Sequence, residues 1–304
     1  MPKEEISVDI RYLTYILTIA QKQNMTKAAE ELYVSQSSLS QYLTKLENEL
    51  GTPLFYRSRG RLSLTPAGEL YVEAARRVIG IRDNLYRSIQ SLEKRGHITI
   101  GVTSQFGLEM LTELIPPFKT CFPNVTVEIT ESNVPALTRL IKEENIDCAI
   151  MALNDTEEFD QEQVDVLRRE EVYWAIPRSH PYCAKNPGRP ITLEELGENF
   201  HNDNILLAKK GSTLRRLADQ VTEAAHLTLT TVCETNSIIA NRSMVAMGIG
   251  VTLIASSCAL DKEHVAYYSL IPPITRLNAF VRRKGWVMHE PEMDLRGRIL
   301  SYFV

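Results

Sequence analysis

Four uncharged polar residues of this chain, Gln36, Ser37, Ser40 and Gln41, have side chains that suit the edges of DNA bases. A glutamine can form two hydrogen bonds with adenine in the major groove, and a serine hydroxyl can bond to a base or a phosphate. At about 100° per residue, all four project away from a stripe of leucines that begins at Leu39. The spacing predicts a helix with one buried face and one face able to contact a groove of DNA.

Two further helices are predicted before Gln36, and they would hold that polar face outward. The first has apolar residues at intervals of three or four from Ile10 to Ala20. The second is short, and we expect Thr26 to cap its start. Tyr33-Val34 then turns the chain before Ser35, whose hydroxyl suits an N-cap, and Gly51 suits a left-handed cap after the third helix. This order is typical of a helix-turn-helix.

Residues 54–65 predict two short strands joined by a turn that contains Gly60. Arg57, Arg59 and Arg61 lie in this segment, and arginines can neutralise phosphates or enter the minor groove. Taken alone, a polar helix face or an arginine cluster is more often solvated surface. In this order along the chain, the two features favour a winged helix-turn-helix that binds double-stranded DNA.

The residues of this region also match a known family in order and spacing. They are Thr26-Lys27-Ala28-Ala29, Val34-Ser35-Gln36-Ser37, Leu39-Ser40, Leu46-Glu47, Leu50-Gly51, Leu54-Phe55 and Leu64-Thr65-Pro66-Ala67-Gly68. Through these residues, roughly the first quarter of the chain resembles the LysR-type transcriptional regulators. Tyr42 and Tyr56 depart from the commoner choices of the family, which makes the preferred DNA sequence harder to predict.

The resemblance implies which side chains lie at the DNA. Residues matching Gln36, Ser37, Ser40 and Gln41 lie at the DNA surface in the family, and Arg57 and Arg59 are expected to contact the backbone or the minor groove. The DNA-binding candidates are Thr26, Ser35, Gln36, Ser37, Ser40, Gln41, Arg57 and Arg59.

A long helix is predicted from Thr65-Pro66, where threonine can cap and proline is tolerated in the first turn, to Gly96. Its apolar seam consists of Tyr71, Ala74, Val78, Ile81, Leu85, Ser88 and Leu92, with only Ser88 polar. A heptad-like seam on one exposed helix predicts pairing with the same helix of a second copy, which places two recognition helices on one duplex. The alternative is a helix packed against its own domain, but the length of the helix and its arginines outside the seam favour the dimer.

From His97 onward, strands and helices alternate, which predicts an α/β domain with parallel strands and crossover helices. The expected strands are 98–102, 125–130, 146–151, 172–177, 204–208, 229–233 and 249–254. The expected helices are 107–119, 135–144, 213–225 and 237–247. The resemblance implies a two-lobed effector-binding domain similar to periplasmic binding proteins, with the chain returning to the first lobe at its end.

The predicted fold is therefore an α/β multidomain protein with three parts. Residues 1–65 form the winged helix-turn-helix DNA-binding domain, residues 66–95 the linker and dimerisation helix, and residues 96–304 the effector-binding domain. Lobe I is expected at about 96–165 and 267–304, and lobe II at about 166–266.

A binding cleft is expected where strands end and helices begin, because helix N-termini offer free N–H groups there. Three turns, at residues 103–105, 210–213 and 234–237, meet this description, and so does Asn133 after the second strand. For each one alone, a plain helix cap is the simpler interpretation. The effector-binding candidates are Thr103, Ser104, Gln105, Asn133, Ser212, Thr213, Thr235 and Asn236. Such groups suit a small polar or anionic metabolite, with Lys210, Arg215 or Arg242 as its charge partner.

Several other classes of function find no support in the sequence. It has no nucleotide-binding glycine motif and no nucleophile elbow, so we expect neither catalytic residues nor a cofactor. The five cysteines lie far apart without metal-ligand spacing, which places redox sensing below small-molecule sensing and predicts no metal site. The chain begins with no signal-peptide pattern and contains no long apolar run, so a cytoplasmic location with no membrane partner is expected.

The sequence thus predicts a sequence-specific transcription regulator whose effector changes the angle between the lobes and thereby the spacing of the DNA-binding heads. The resemblance implies a tetramer, promoter DNA and RNA polymerase as partners. A different interpretation is a solute-binding protein or an enzyme whose N-terminal helices only mediate assembly. The effector, the operator and the choice between activation and repression do not follow from the sequence.

Overall fold

The computed structural model describes residues 10–58, 61–91 and 96–302. These residues form two compact units, one reaching to Gln90 and the other containing nearly all of the rest. The predictions for Arg59 and for Leu92 lie outside the described residues.

Three helices open the first unit, α1 (Ile10–Lys22), α2 (Met25–Glu31) and α3 (Gln36–Leu50). The predicted cap at Thr26 is wrong, because the helix already starts at Met25 and Thr26 lies within its first turn. Asn24 is the N-cap, and its side-chain oxygen accepts a hydrogen bond from the Lys27 N–H at 3.0 Å. Both residue types can cap, so the residue that comes first along the chain takes this role.

The turn between α2 and α3 and both ends of α3 follow the prediction. Tyr33 adopts a left-handed φ of 55°, and Ser35 accepts a hydrogen bond from the Ser38 N–H at 3.1 Å. Gly51 ends the helix with a left-handed φ of 67°. Leu39, Leu43 and Leu46 of the stripe on α3 are buried in the core of the first unit, whereas Leu50 at its end is 38% exposed. The opposite face of α3 is left to solvent.

The wing is held to α3 through one carboxylate. Strands β1 (Phe55–Ser58) and β2 (Arg61–Leu64) pair antiparallel. The backbone N–H groups of Leu54 and Phe55 donate to the Glu47 carboxylate at 2.7 and 3.2 Å. Since Glu47 lies on α3, the start of the wing has a fixed position relative to the recognition helix.

A long helix, α4 (Pro66–Ser91), follows the wing. Its start is capped as expected, because the Thr65 hydroxyl accepts from the Gly68 N–H at 3.0 Å and donates to the Pro53 carbonyl at 2.7 Å. Val72 and Ala75 are buried on one face of the helix, whereas the predicted seam is on another.

Lobe I of the second unit is a sheet with helices on both faces. Its first elements are β3 (His97–Val102), α5 (Gln105–Cys121), β4 (Thr126–Glu131), α6 (Val134–Lys142) and β5 (Cys148–Leu153). Strand β3 pairs parallel with both β4 and β5. Alternate residues of β5 face opposite cores, with Ile150 packed toward α5 and Met151 toward α6.

The next strand, β6 (Val164–Pro177), is more than twice as long as the expected 172–177 and belongs to both lobes. The prediction missed its first half because Arg168, Arg169, Glu170 and Glu171 interrupt the apolar pattern on which strand prediction depends. The strand pairs with residues 275–281 up to Glu171, and from Val172 it pairs with residues 252–255 and 265–268.

Lobe II is completed by a continuous stretch of chain. Its elements are α7 (Pro181–Lys185), β7 (Ile191–Thr192), α8 (Leu193–Phe200), β8 (Asn204–Leu207), α9 (Thr213–Ala224), β9 (Thr230–Glu234), α10 (Ile238–Ala246), β10 (Thr252–Ala255), β11 (Val265–Tyr268) and β12 (Leu270–Ile271). Strands β10 and β11 pair antiparallel with the second half of β6, and β8 pairs parallel with β9. The sheets are therefore mixed, whereas the sequence predicted parallel strands.

The chain then returns to lobe I through β13 (Thr275–Arg282) and α11 (Glu290–Ser301). Strand β13 lies between β5 and β6 and is antiparallel to both. Strand β11 pairs with the second half of β6, and β12 pairs with β7.

We expect Gly68→Ala to lower the free energy of unfolding by about 1–3 kcal/mol, the usual cost of overpacking. A Cβ at Gly68 would overlap the backbone carbonyl oxygen of Leu54, and a backbone atom cannot move away as a flexible side chain can. Urea denaturation followed by circular dichroism measures the effect. The matched control is Gly297→Ala in α11, where a Cβ meets open space. Its free energy of unfolding should rise by about 0.5–1 kcal/mol, because alanine has a higher helix propensity than glycine. Equal stabilities of the two variants would contradict the expectation.

Candidate functional site

The first candidate surface is the polar face of α3. Gln36, Ser37, Gln41 and Thr44 are exposed and Ser40 is half-buried. They line a shallow depression that continues toward the C-terminus of α3, where Lys45, Asn48 and Glu49 join it. Sequence reasoning missed these last three residues, although each lies three or four residues after another member of this surface: Lys45 after Gln41, Asn48 after Thr44, and Glu49 after Lys45.

Two residues near this surface have structural contacts of their own. The Ser35 hydroxyl lies 3.0 Å from that of Ser37 and 2.7 Å from that of Ser38, in addition to capping α3. The ring of Tyr42, which departs from the usual residue of the family, stacks on Tyr12 of α1 with 4.0 Å between centroids. Tyr42 therefore braces α1 against α3.

The wing places a further charged residue near α3. Arg57 is more than half exposed and lies 4.0 Å from the Glu47 carboxylate, so its guanidinium is oriented but still accessible. Thr26, the remaining described candidate, is exposed near the start of α2. The structure thus leaves Thr26, Gln36, Ser37, Gln41 and Arg57 accessible on the first unit.

The predicted seam of α4 is exposed on the single chain. Val78, Ile81 and Leu85 are 39%, 58% and 58% exposed, and the neighbouring Leu70 and Ile89 are 71% and 52% exposed. An apolar stripe of this length on one helix face normally marks a contact with another molecule.

The second candidate site is a cavity of about 460 Å³ in the second unit. All eight residues predicted as effector-binding line it. Thr103, Ser104, Gln105 and Asn133 come from lobe I, and the other four come from lobe II. Ser237 and Asn241 also line it, although sequence reasoning did not select them. Each of these turns lies at the N-terminus of a helix, α5, α6, α9 or α10.

Most of the polar side chains around the cavity share one bonding pattern, in which the side-chain oxygen accepts from a backbone N–H. The oxygens of Ser104, Asn133, Ser212 and Ser237 cap α5, α6, α9 and α10 in this way. Thr103, Thr235 and Asn236 accept in the same way from Ala152, Ser237 and Lys209. The oxygens are thus engaged, and the hydroxyl protons and amide Nδ2 groups are left to act as donors.

Thr213 has a different role from its neighbours. It is buried, and its hydroxyl donates to the backbone carbonyl oxygen of Ala152. Because Thr213 begins α9 of lobe II and Ala152 lies on β5 of lobe I, this bond links the lobes across the cavity. Arg216 and Asp155 add a more exposed ion pair between the two lobes at 3.6 Å.

The positively charged group that the described residues contribute to the cavity wall is not one of those predicted. Arg215 is paired with Asp219 and Glu234, Arg242 donates to the Cys258 carbonyl, and Lys210 lines a neighbouring cavity. Arg276 of β13 is the cation that lines this cavity, and it is 3% exposed. A signal for it was present in the sequence, because Arg276 and Asn278 alternate with apolar residues in an otherwise buried strand.

A buried carboxylate on the next strand holds Arg276. The Glu170 Oε1 atom accepts from the Arg276 Nε at 2.7 Å and from the Asn278 Nδ2 at 2.8 Å, and Oε2 accepts from the Ser257 N–H at 3.2 Å. Burial would raise the pKa of Glu170, but the Arg276 charge and these hydrogen bonds outweigh it and lower the pKa below the usual value. Glu170 is therefore ionised at neutral pH and forms a buried ion pair.

The described residues show little sign of other chemistry. They contain no group of three or more side chains placed to hold a metal ion, and no helix among them could cross a bilayer. All five cysteines are free. Burial raises the pKa of the Cys148 thiol, helped by Asp147 and Glu292, and burial also raises the pKa of Cys258. A protonated, buried thiol is a poor nucleophile.

Comparisons with known proteins agree with this two-part architecture. The family model described as "LysR substrate binding domain" matches residues 91–291, and the one described as "Bacterial regulatory helix-turn-helix protein, lysR family" matches residues 10–69. The chain belongs to the LysR family. It is thus a LysR-type transcriptional regulator and not an enzyme, which sets aside the interpretation of the N-terminal helices as mere assembly elements.

Individual LysR relatives match along nearly the whole chain. The transcriptional regulator YcgK of Bacillus subtilis is 30% identical over 91% of this chain and 90% of its own. A full-length OxyR variant from Pseudomonas aeruginosa is 30% identical, with a TM-score of 0.59 over 96% of this chain and 95% of its own. Full-length CbnR, solved with its target DNA, has a TM-score of 0.62 over 96% and 99% of the two chains, and at 19% identity it supports the fold alone.

For this LysR protein we expect Glu170→Gln to lower the free energy of unfolding by about 3–5 kcal/mol, because it leaves Arg276 buried without a counter-charge. Since the folded-state pKa of Glu170 is lowered, its stabilising contribution is complete above its usual pKa near 4.5 and is lost as the pH falls through the lowered value. Acid denaturation between about pH 6 and pH 3 should therefore reduce the stability of the wild type more than that of the variant.

The control for this prediction is Glu157→Gln, which removes an exposed carboxylate from the same unit. It should change the free energy of unfolding by less than about 0.5 kcal/mol. The double variant Glu170→Gln, Arg276→Met should lower the free energy of unfolding by less than the sum of the losses in the two single variants. Strictly additive costs would show that the two residues do not stabilise each other.

Proposed function

We propose that this chain is a sequence-specific regulator of promoter DNA whose second unit binds a small-molecule effector in the cavity. Residues 1–65 bind DNA, residues 66–95 pair two subunits and residues 96–304 bind the effector. The observation that carries the proposal is the convergence of eight polar residues, taken from both lobes, on one cavity. A ligand there contacts both lobes at once, so its binding energy can depend on their relative arrangement.

The proposed DNA contacts follow from exposure and chemistry. Gln36 and Gln41 present amides that can read base edges, and Ser37 and Ser40 add hydroxyls between them. Thr26 and Arg57 are proposed to contact the DNA backbone, and Ser35 is proposed to hold the start of α3 against that backbone. Arg59 is proposed to add a positive charge. CbnR, which has the same fold, is known in complex with its target DNA. The proposed place of binding is promoter DNA in the cytoplasm.

The proposed regulation needs a ligand that favours one arrangement of the lobes in free energy. The Thr213–Ala152 hydrogen bond and the Arg216–Asp155 ion pair link the lobes across the cavity, so they are the contacts that a change of angle would alter. In a full-length oligomer such a change would alter the spacing of the DNA-binding heads. RNA polymerase is the proposed downstream partner, as the family resemblance implies.

The proposed assembly is a dimer through α4, with two dimers forming a tetramer. An exposed apolar stripe that includes Val78, Ile81 and Leu85 supports the pairing of two α4 helices. A dimer also matches the two-fold symmetry of an operator with two half-sites.

We expect two different DNA-binding defects from Gln36→Ala and Arg57→Ala. Loss of a base-reading amide should weaken binding to the cognate promoter fragment by about 1–3 kcal/mol and relax specificity. Loss of a phosphate-neutralising charge should weaken binding to all sequences similarly and reduce the slope of log K against log salt by about 1. Fluorescence anisotropy with the DNA upstream of the gene and an unrelated fragment, at several salt concentrations, measures both effects.

The matched control is Gln21→Ala, which removes an exposed glutamine from α1 instead of α3. It should leave both affinities and the salt dependence unchanged. Wild-type protein that binds the two fragments equally well would rule out sequence-specific regulation at that promoter.

We expect Ile81→Glu to convert the oligomer into smaller species, because a carboxylate would be buried against its symmetry mate in the α4 seam. Analytical ultracentrifugation of the full chain measures the assembly. Ile81→Leu, which keeps the seam apolar, is the control and should sediment as the wild type does. If Ile81→Glu also sediments as the wild type, the seam of α4 is not the dimer contact.

A further inference from the structure

We propose that the cavity binds a small organic carboxylate and that Arg276 is the residue that recognises its charge. The inference rests on the proposed function, since it names the chemical class of the effector. It follows from the state of the Arg276 guanidinium, from the excess of donors around the cavity and from the size and lining of the cavity.

The guanidinium of Arg276 is fixed by Glu170, but not all of its N–H groups have a hydrogen-bond acceptor among the described residues. Its Nε donates to Glu170, whereas its Nη2 has no hydrogen-bond partner among the described residues. A buried N–H group of a cation without an acceptor is costly, and an oxyanion in the adjoining cavity would supply one. Glu170 fixes the guanidinium at the cavity wall, so Arg276 is preorganised for a ligand.

The other polar groups of the wall complement this cation. Seven of them use their oxygen to accept from backbone N–H groups, which leaves the remaining protons of Thr103, Ser104, Asn133, Asn236 and their neighbours to act as donors. Four helix N-termini around the same space add positive electrostatic potential. The wall also holds acceptors, namely the buried Asn241 Oδ1, which has no hydrogen-bond partner among the described residues, and the exposed Glu131 carboxylate. Together with Arg276, the donors and the helix N-termini favour an anion over a cationic ligand.

Glu170 has a second cation beside it in addition to Arg276, because the Arg168 Nη2 lies 3.6 Å from its Oε2. Glu131 also lines the cavity, but it is exposed, so solvent screens its charge more strongly than that of the buried Arg276.

The cavity is built for an organic body rather than for an inorganic ion. Its volume of about 460 Å³ lies in the range of small-molecule sites, roughly 300–1,000 Å³. Apolar side chains complete the wall, namely Val102, Leu108, Val134, Leu214 and Ile238. These residues would bury a hydrocarbon portion attached to the carboxylate.

The test uses the full-length protein and pairs of probes that differ only in charge. The carboxylates are the straight-chain acids from propanoate to octanoate, phenylacetate, succinate and glutarate, each compared with its primary amide. Sulfate and inorganic phosphate form separate arms. Thermal shift identifies binders, and isothermal titration calorimetry measures their affinity. We expect at least one carboxylate to bind and its amide to bind at least tenfold more weakly.

Two variants and one control test whether the carboxylate is recognised in the cavity. Arg276→Lys keeps a positive charge beside Glu170 but loses the planar guanidinium group. It should lower the affinity for the carboxylate ligand roughly 10- to 100-fold. Asn133→Asp keeps the oxygen that caps α6, so the protein should still fold. It replaces the Nδ2 donor by a negatively charged oxygen, which should lower the affinity for the carboxylate ligand at least tenfold. Asn202→Asp adds the same charge at an exposed position outside the cavity and should change nothing.

The proposal is overturned if no carboxylate binds, if the amides bind as tightly as the acids, or if only sulfate or phosphate binds. It is also overturned if Asn133→Asp and Arg276→Lys both bind the carboxylate as the wild type does. The affinity of Asn202→Asp for promoter DNA without ligand should equal that of the wild type. A failure of the proposed function would appear separately, as a lack of preference for the cognate fragment whatever the carboxylate result.

Discussion

A cation buried between two strands is the constraint on which the second unit depends. Arg276 and Glu170 are direct neighbours in the antiparallel register of β13 and β6, so backbone pairing alone brings the opposite charges together. The pair lies close to the point where β6 leaves lobe I and β13 re-enters it. Since a slip of one residue would turn Arg276 to the other face of the sheet and separate it from Glu170, the ion pair also fixes the register of the two connecting strands.

The cavity wall follows from a second constraint, the need of helix N-termini for acceptors. Serine and asparagine oxygens satisfy early N–H groups of α5, α6, α9 and α10, and the same four side chains line the cavity. They thus cap helices and also form part of the candidate site. This dual use explains why a helix cap and a ligand contact are hard to tell apart in a sequence, and why selecting such turns located the cavity.

Features set by near neighbours in the chain were predictable, and features set by distant ones were not. The turn at Tyr33, the cap at Ser35, the left-handed Gly51 and the start of α4 all depend on contacts within a few residues. Asn24 displaced Thr26 as a cap because two suitable residues lie within one turn. The first half of β6 and the buried position of Arg276 were missed for a different reason. The charges of Glu170 and Arg276 are compensated by each other, and the two residues lie 106 positions apart in the sequence.

The order of the strands also has a consequence for synthesis on the ribosome. Lobe II is encoded by one uninterrupted stretch, whereas the sheet of lobe I has a gap between β5 and β6 that only β13 can fill. Glu170 is translated 106 residues before Arg276, so its carboxylate must wait for its counter-ion until almost the whole chain has emerged. A nascent chain that stalls before β13 can therefore finish the second lobe while the first still lacks a central strand.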